Sequence, residues 1–212
     1  MNGDLRMAGT LGFRKLTGPR GPKGAPTPLG AGLGWRVRNM SRPGFWRGWI
    51  GVQVARLVAR LFGIPALCGD LRARLVRADG TVIDYGTLGF RVVTTAFVNF
   101  VVDQLQTETS VFGDFKYHDS GVGVTSEAVG DTGIETTDGE SRATGTQAEG
   151  AANAYQSVGT ISYTTTKAIT EHGLFNDVTA GTLMDRTVFA AINVVNGDSI
   201  QFTYTLTLTA GS

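Results

Sequence analysis

The last regular stretch of the chain, Ser199 to Thr209, constrains the fold more than any other. Ile200, Phe202, Tyr204, Leu206 and Leu208 alternate there with Gln201, Thr203, Thr205, Thr207 and Thr209 without interruption. A period of two puts alternate side chains on opposite faces of a strand, so the pattern predicts a half-buried antiparallel strand with an apolar inner face and a Thr-lined outer one. At about 3.3 Å per residue the strand spans roughly 33 Å, and it therefore needs neighbours that pair along much of its length.

The preceding segments supply those neighbours. Residues 71–77 and 81–85 flank Ala78-Asp79-Gly80, and Asp-Gly between alternating runs signals a hairpin. Thr94 or Thr95 can cap a helix reaching about Gln106, with Phe97, Phe100, Val101 and Leu105 on one side and Asn99, Asp103 and Gln106 on the other. Residues 115–123 read as a short strand entering a Gly loop, and 125–139 have the Gly, Thr and acid content of a loop. Strand-like runs follow at 141–146, 154–166, 168–174 and 183–190, and Asn196-Gly197-Asp198 turns the chain into the last strand. Six to eight strands with one packed helix predict a mainly β fold, an antiparallel β-sandwich or jelly-roll-like domain over residues 71–212; a βαβ architecture would need helices between most strands. The 30 glycines and the low charged fraction of 17% agree with many turns and a Thr-rich surface.

The net charge of +1 conceals a division. Residues 1–77 hold 14 of the 19 Lys and Arg and only two acids, Asp4 and Asp70, a net of +12, whereas residues 78–212 hold 5 basic and 16 acidic residues, a net of −11. The expected organisation is thus a basic N-terminal arm, residues 1–70, on an acidic body. Residues 1–45 are rich in Gly, Pro, Arg and Lys and have no sustained period, which is the composition of a mobile or partner-ordered segment. The three collagen-like triplets at 18–26 are too few for a triple helix and fit a stiff linker. From 46 to 62 Ile50, Val54, Leu57, Val58 and Leu61 fall at helical spacing, with Gln53, Arg56 and Arg60 as a narrow polar stripe. Two arginines interrupt the run, which disfavours a membrane span, although a helix lying on a membrane or on a partner fits it.

Several separate motifs carry a resemblance. The first group is the run 92–103, then Lys116-Tyr117-His118-Asp119-Ser120-Gly121-Val122-Gly123 with Thr125-Ser126-Glu127-Ala128-Val129-Gly130-Asp131-Thr132. The second is Ala168-Ile169-Thr170-Glu171-His172-Gly173-Leu174-Phe175, the run 183–189 and Asn196-Gly197-Asp198-Ser199. In this order they resemble a family of tailed-bacteriophage virion structural proteins over about residues 71–212. The resemblance implies a β-rich virion component such as a capsid cement protein or a tail component, and it does not extend to the arm.

Candidate chemistry is sparse. His118-Asp119-Ser120 holds the three residue types of a hydrolytic triad, but adjacent strand residues point to alternate faces and cannot form that relay, so a polar cluster bonding a turn is expected, and His172 is expected to be a sheet or turn residue. One cysteine, Cys68, excludes an internal disulfide, and Leu67 before it is not the small residue that a lipoprotein cleavage site wants, so a plain thiol is expected. The acids Asp131, Glu135, Asp138 and Glu140 lack the ligand spacing of a calcium loop and read as a solvated acidic loop. Gly30-Ala31-Gly32-Leu33-Gly34 has no strand before it and no paired Lys and Ser/Thr, so it is not a phosphate loop. No catalytic residue, metal ligand or cofactor is expected.

The arm carries the candidate binding residues. Trp35, Arg36, Arg38, Arg42, Trp46, Arg47 and Trp49 interleave aromatic rings with guanidinium groups. They suit a tether to an acidic neighbouring subunit, with the tryptophans as buried anchors, and the acidic body makes nucleic acid the less favoured partner. The expected protein is a non-enzymatic component of the virion that binds copies of itself, as a cyclic oligomer such as a trimer, and binds major capsid or tail subunits. Capsid decoration is preferred to a tail or baseplate role, and a membrane- or surface-associated binding module is the alternative.

Overall fold

The computed structural model describes residues 29–62, 66–90, 92–106, 114–151 and 153–209. The collagen-like triplets and the rest of residues 1–28 lie outside them. The described chain runs α1 (Leu29–Met40), α2 (Pro43–Phe62), β1 (Ala66–Val76), β2 (Val82–Phe90), β3 (Val92–Val93), α3 (Thr95–Gln106), β4 (Tyr117–Gly121), β5 (Ala143–Thr144), β6 (Thr146–Ala151), β7 (Ala154–Ser162), β8 (Lys167–Phe175), β9 (Leu183–Val194) and β10 (Ser199–Thr209). The strands form two antiparallel five-stranded sheets, ordered β2-β1-β10-β7-β6 and β3-β9-β8-β4-β5. One core holds residues of both sheets, so the fold is the mainly β, layered arrangement that the alternation predicts.

β10 is the central strand of the first sheet. It pairs with β1 from Ser199↔Val76 to Thr209↔Ala66, and with β7 from Ser199↔Ser162 to Thr207↔Ala154. Ile200, Phe202, Tyr204 and Leu206 are buried, while Leu208 is half exposed because it has passed the end of the core. The β1–β2 hairpin turns at Asp79-Gly80, where Gly80 takes φ +82° and Asp79 Oδ1 accepts from Thr81 N–H. A β-carbon would strain that left-handed backbone.

β8 and β9 are buried on both faces, which removes alternation from their sequence: Glu171, His172, Gly173, Leu174 and Phe175 are all buried, as are the eight residues 183–190. The inner face meets the first sheet. The loop between β4 and β5 crosses the outer face, and Glu171 Oε1 accepts from Gly123 N–H and Thr136 N–H beneath it. Thr94 caps α3 by accepting from Phe97 N–H, and its hydroxyl donates to Leu183 O. Phe97 and Phe100 both pack edge-on against Phe115, with ring centroids 5.1 Å apart in each pair.

Three expectations need correction. Residues 29–45 contain no loose arm: α1 covers most of them, Gly30 to Gly34 included, and its Trp35 is 3% exposed within the core. The second helix begins at Pro43 rather than 46, and its sheet-facing side is Phe45, Gly48, Val52, Ala55 and Ala59, so Ile50, Val54, Leu57 and Leu61 point outward. In α3, Leu105 is 80% exposed instead of lying on the packed side with Phe97. Two strands, β3 and β6, went unforeseen: the first has two residues, and the second, Thr-Gln-Ala-Glu-Gly-Ala, has no apolar alternation.

Candidate interaction surface and internal polar clusters

Three clusters of polar side chains centre on the second sheet, each turned inward or pinned under a loop. In the first, Arg186 on β9 is 3% exposed; its Nε donates to Glu171 Oε2 at 2.7 Å, one terminal nitrogen to Asp131 at 3.0 Å and the other to Glu135 at 3.1 Å and Thr125 O at 3.3 Å. Burial alone would pull this guanidinium down, but the hydrogen bonds and charges of Glu171 and Asp131 outweigh it and hold Arg186 above its ordinary value. Glu135 is held below the usual carboxylate range by donation from the Thr125 hydroxyl and backbone N–H, with Arg186 adding to the effect. Gly121 and Gly123 are needed here, since a β-carbon on either would stand within about 2.5 Å of Glu171 Oε1, a distance no real contact allows.

The second cluster joins the sheets. His118 Nδ1 lies 2.9 Å from His172 Nε2, and its Nε2 lies 2.9 Å from Ser157 Oγ on β7, all three side chains being fully buried. Gly159 and Gly145 make the room, because a β-carbon on Gly159 would sit 2.3 Å from the His118 ring. His118 is therefore an interior residue between the sheets, and not part of a polar cluster at a turn. In the third cluster the Ser120 hydroxyl bonds Asp138 and lies 3.1 Å from Tyr163 Oη. Burial pushes the Asp138 carboxyl and the Tyr163 phenol up.

The loop acids are thus divided among separate partners. Asp131 and Glu135 serve Arg186, Asp138 serves Ser120, and Glu140 takes Lys167 Nζ at 2.6 Å, which with the Thr164 N–H depresses its carboxyl. They are not a freely solvated acidic loop, and among the described residues no group of three or more His, Cys, Asp or Glu is arranged to hold a metal ion. Cys68 is buried on β1 at the margin of a cavity of about 520 Å³ between α2 and the strands β1, β2 and β9.

The seven candidate binding residues divide. Trp35 is turned inward: its indole N–H donates to Ala190 O at 3.0 Å and Ala191 O at 3.1 Å, and its ring meets Tyr85 at 4.7 Å between centroids. It anchors the chain to itself. Arg36 donates to Asp84 O and pairs loosely with the Asp84 carboxylate at 3.7 Å. Arg42 lines the cavity beside Glu127, where burial lowers its pKa against the opposing effect of that carboxylate. Arg38, Trp46, Arg47 and Trp49 are exposed, and the two indoles lie edge to face at 5.8 Å.

Trp46 and Trp49 belong to a larger feature. With Ile50, Val54, Leu57 and Leu61 they make an apolar stripe along the side of α2 opposite its sheet-facing residues, with Ile50 52%, Leu57 56% and Leu61 68% exposed. At about 100° of rotation per residue the two apolar faces lie on opposite sides of the helix, so α2 is apolar twice over. α1 repeats the pattern with Leu33, Val37 and Met40 exposed opposite Trp35 and Asn39. All five charged residues of the two helices, Arg36, Arg38, Arg47, Arg56 and Arg60, are arginines, as is Arg42 between them. No helix among the described residues is long and apolar enough to cross a membrane. Sequence periodicity detects the apolar stripe on α2 but not which of its two apolar faces the body covers. The Asn39 and Arg186 networks leave no local signal because their partners lie 49 to 151 and 15 to 61 residues away, respectively.

This geometry defines a mainly β, two-sheet protein with closed internal polar clusters and one outward apolar, cationic helical face. Comparison of the chain with protein-family models, curated proteins and solved structures finds no match.

Proposed function

We propose that the chain is a non-enzymatic structural protein of a bacteriophage virion, which binds neighbouring subunits through the outer face of α2. The observation that carries this reading is the stripe from Trp46 to Leu61, an extended apolar surface on a helix whose charged residues are all arginines. Large exposed apolar patches on folded proteins mark interaction sites, and Trp and Arg are enriched where binding energy concentrates. The polar clusters support the same reading in a second way: the histidines, Ser157 and Arg186 are spent on internal bonds. The motif resemblance over residues 71–212 directs the proposal to virions. Among virion roles a compact domain with an adhesive helix suits a capsid cement or decoration protein, which stabilises a lattice by covering junctions, better than a tail or baseplate component.

The reading assigns no cofactor, and its partners are copies of the chain and major capsid or tail subunits. It is tested by adding the purified chain to phage particles that lack it and assaying their resistance to heat or chelation. Wild-type protein is expected to sediment with the particles and protect them, and the Ile50→Asp, Leu57→Asp double variant to do neither. Full activity of that variant would overturn the assignment of the α2 face.

A further inference from the structure

The five arginines of α1 and α2 and Arg42 between them, with no acid in either helix, decide what can cover the stripe. Two such helices from two molecules would bring only positive charge together, so pairing of α2 with itself is opposed. The covering surface must be apolar and acidic. Such a surface exists at the far side of the first sheet. An open groove of about 610 Å³ lies along β6 and β7, lined by Ala148, Ala154, Tyr155 and the exposed Leu208, and Glu149 is its one charged residue. It belongs to the acidic body, residues 78–212, whose net charge of −11 opposes the +12 of residues 1–77.

The placement of the two features matters as much as their chemistry. α1 and α2 pack beside β2, at one edge of the first sheet, and the groove lies at β6, the opposite edge, with β1, β10 and β7 between. At about 4.8 Å between strands the edges stand roughly 19 Å apart. The β6 edge is also poorly suited to recruiting a further strand, because Glu149 and a register shift between Glu149 and Ala151 interrupt it. Side-chain docking into the groove meets no such obstacle.

We propose that the outer face of α2 in one molecule docks in the β6–β7 groove of a second copy, so that copies join head to tail. The inference rests on the function proposed above, and it names the first partner of that face. Ile50, Val54, Leu57 and Leu61 cover the apolar floor, and Arg56 and Arg60 meet Glu149. A contact between two different surfaces of one molecule is heterologous, and it generates a closed ring if the rotation closes and an open chain of copies if it does not.

Sedimentation velocity of the full chain over a dilution series tests the proposal, with two variants checked for wild-type near-ultraviolet circular dichroism and melting. One carries Ile50→Asp and Leu57→Asp on the helix, the other Glu149→Arg and Leu208→Arg in the groove; where either misfolds, the single changes Leu57→Asp and Glu149→Arg replace it. Wild type is expected to associate, less so as salt is added. Each variant alone is expected to associate at least about tenfold more weakly. An equimolar mixture of the two is expected to form dimers and stop there, since each pair keeps one intact contact. A monomeric wild type, a groove variant that associates as wild type does, or a mixture that forms no dimer would each overturn the proposal. So would a wild type that stays monomeric while floating with phosphatidylglycerol vesicles through the same face, which would assign the stripe to lipid. A monomer that still protects particles would leave the virion function standing and remove only the head-to-tail contact.

Discussion

Asp198 and Asp138 are both largely buried aspartates, and their environments drive them in opposite directions. Asp198 accepts from Arg77 at 2.5 Å, from Ala78 N–H at 3.0 Å and from Val195 N–H at 2.9 Å, tying the β9–β10 turn to the β1–β2 hairpin. Burial alone would raise its carboxyl, but these donors outweigh it and hold Asp198 below the usual range. A carboxyl depressed in the folded state adds stability that is complete above its unfolded value, near pH 4, and is lost as pH falls through the lower folded value. Wild type should therefore lose melting temperature steeply below about pH 4, whereas Asp198→Asn should start about 2 kcal/mol less stable at neutral pH and show a shallower acid limb. Asp138 is raised by burial, so its contribution has the other sign: it favours the folded state at low pH and opposes it as pH climbs through the raised value. Asp138→Asn keeps an acceptor for Glu140 N–H and should not lower the melting temperature at pH 7. Thermal melts of the three proteins from pH 3 to pH 8 decide both expectations; an equal acid dependence in wild type and Asp198→Asn would refute the first.

Among the elements, legibility followed water exposure. β10 was readable because its two faces differ, one on the core and one toward solvent, and alternation records that difference directly. β8 and β9 were found as strands, but their burial on both faces was hidden, because a strand covered twice shows no alternation and its Glu171 and Arg186 look like surface charges. α2 misled for the converse reason. Its outer stripe is the more aliphatic one, while the sheet-facing side uses Gly48, Ala55 and Ala59, small residues that allow close approach; a β-carbon on Gly48 would stand 3.0 Å from Phe90 O. The same close packing operates between β4 and β7, where Gly159 admits the His118 ring. Gly159→Ala should cost about 2–3 kcal/mol, because neither the buried ring nor the strand backbone can yield without breaking the His118 bonds to His172 and Ser157. Chemical denaturation measures the loss, and a change under about 0.5 kcal/mol would show that the two sheets are less tightly spaced there.

At the scale of the whole molecule, α1 decides whether the helices and the sandwich are one cooperative unit. The Asn39 side chain is buried between the sheets: its amide nitrogen donates to Leu88 O on β2 at 2.7 Å, and its oxygen accepts from Ala190 N–H on β9 at 2.9 Å. Those two partners fix the orientation of the amide, since a carbonyl requires a donor and an N–H requires an acceptor. Trp35, one turn earlier, bonds the neighbouring carbonyls of β9 and fills the core beside Tyr85. One helical turn thus closes the open side of the sandwich where the first sheet ends at β2. Asn39→Ala would strand a buried N–H and a buried C=O at once and should cost about 2–4 kcal/mol, and Asn39→Asp should rescue little, because it keeps the acceptor, loses the donor and buries a charge. If α1 is integral, both variants melt in one calorimetric transition at lowered temperature, with calorimetric and van't Hoff enthalpies still equal. Two separate transitions, with the sandwich melting at its wild-type temperature, would mean that the helices are an appendage and that the clamp contributes nothing to the body.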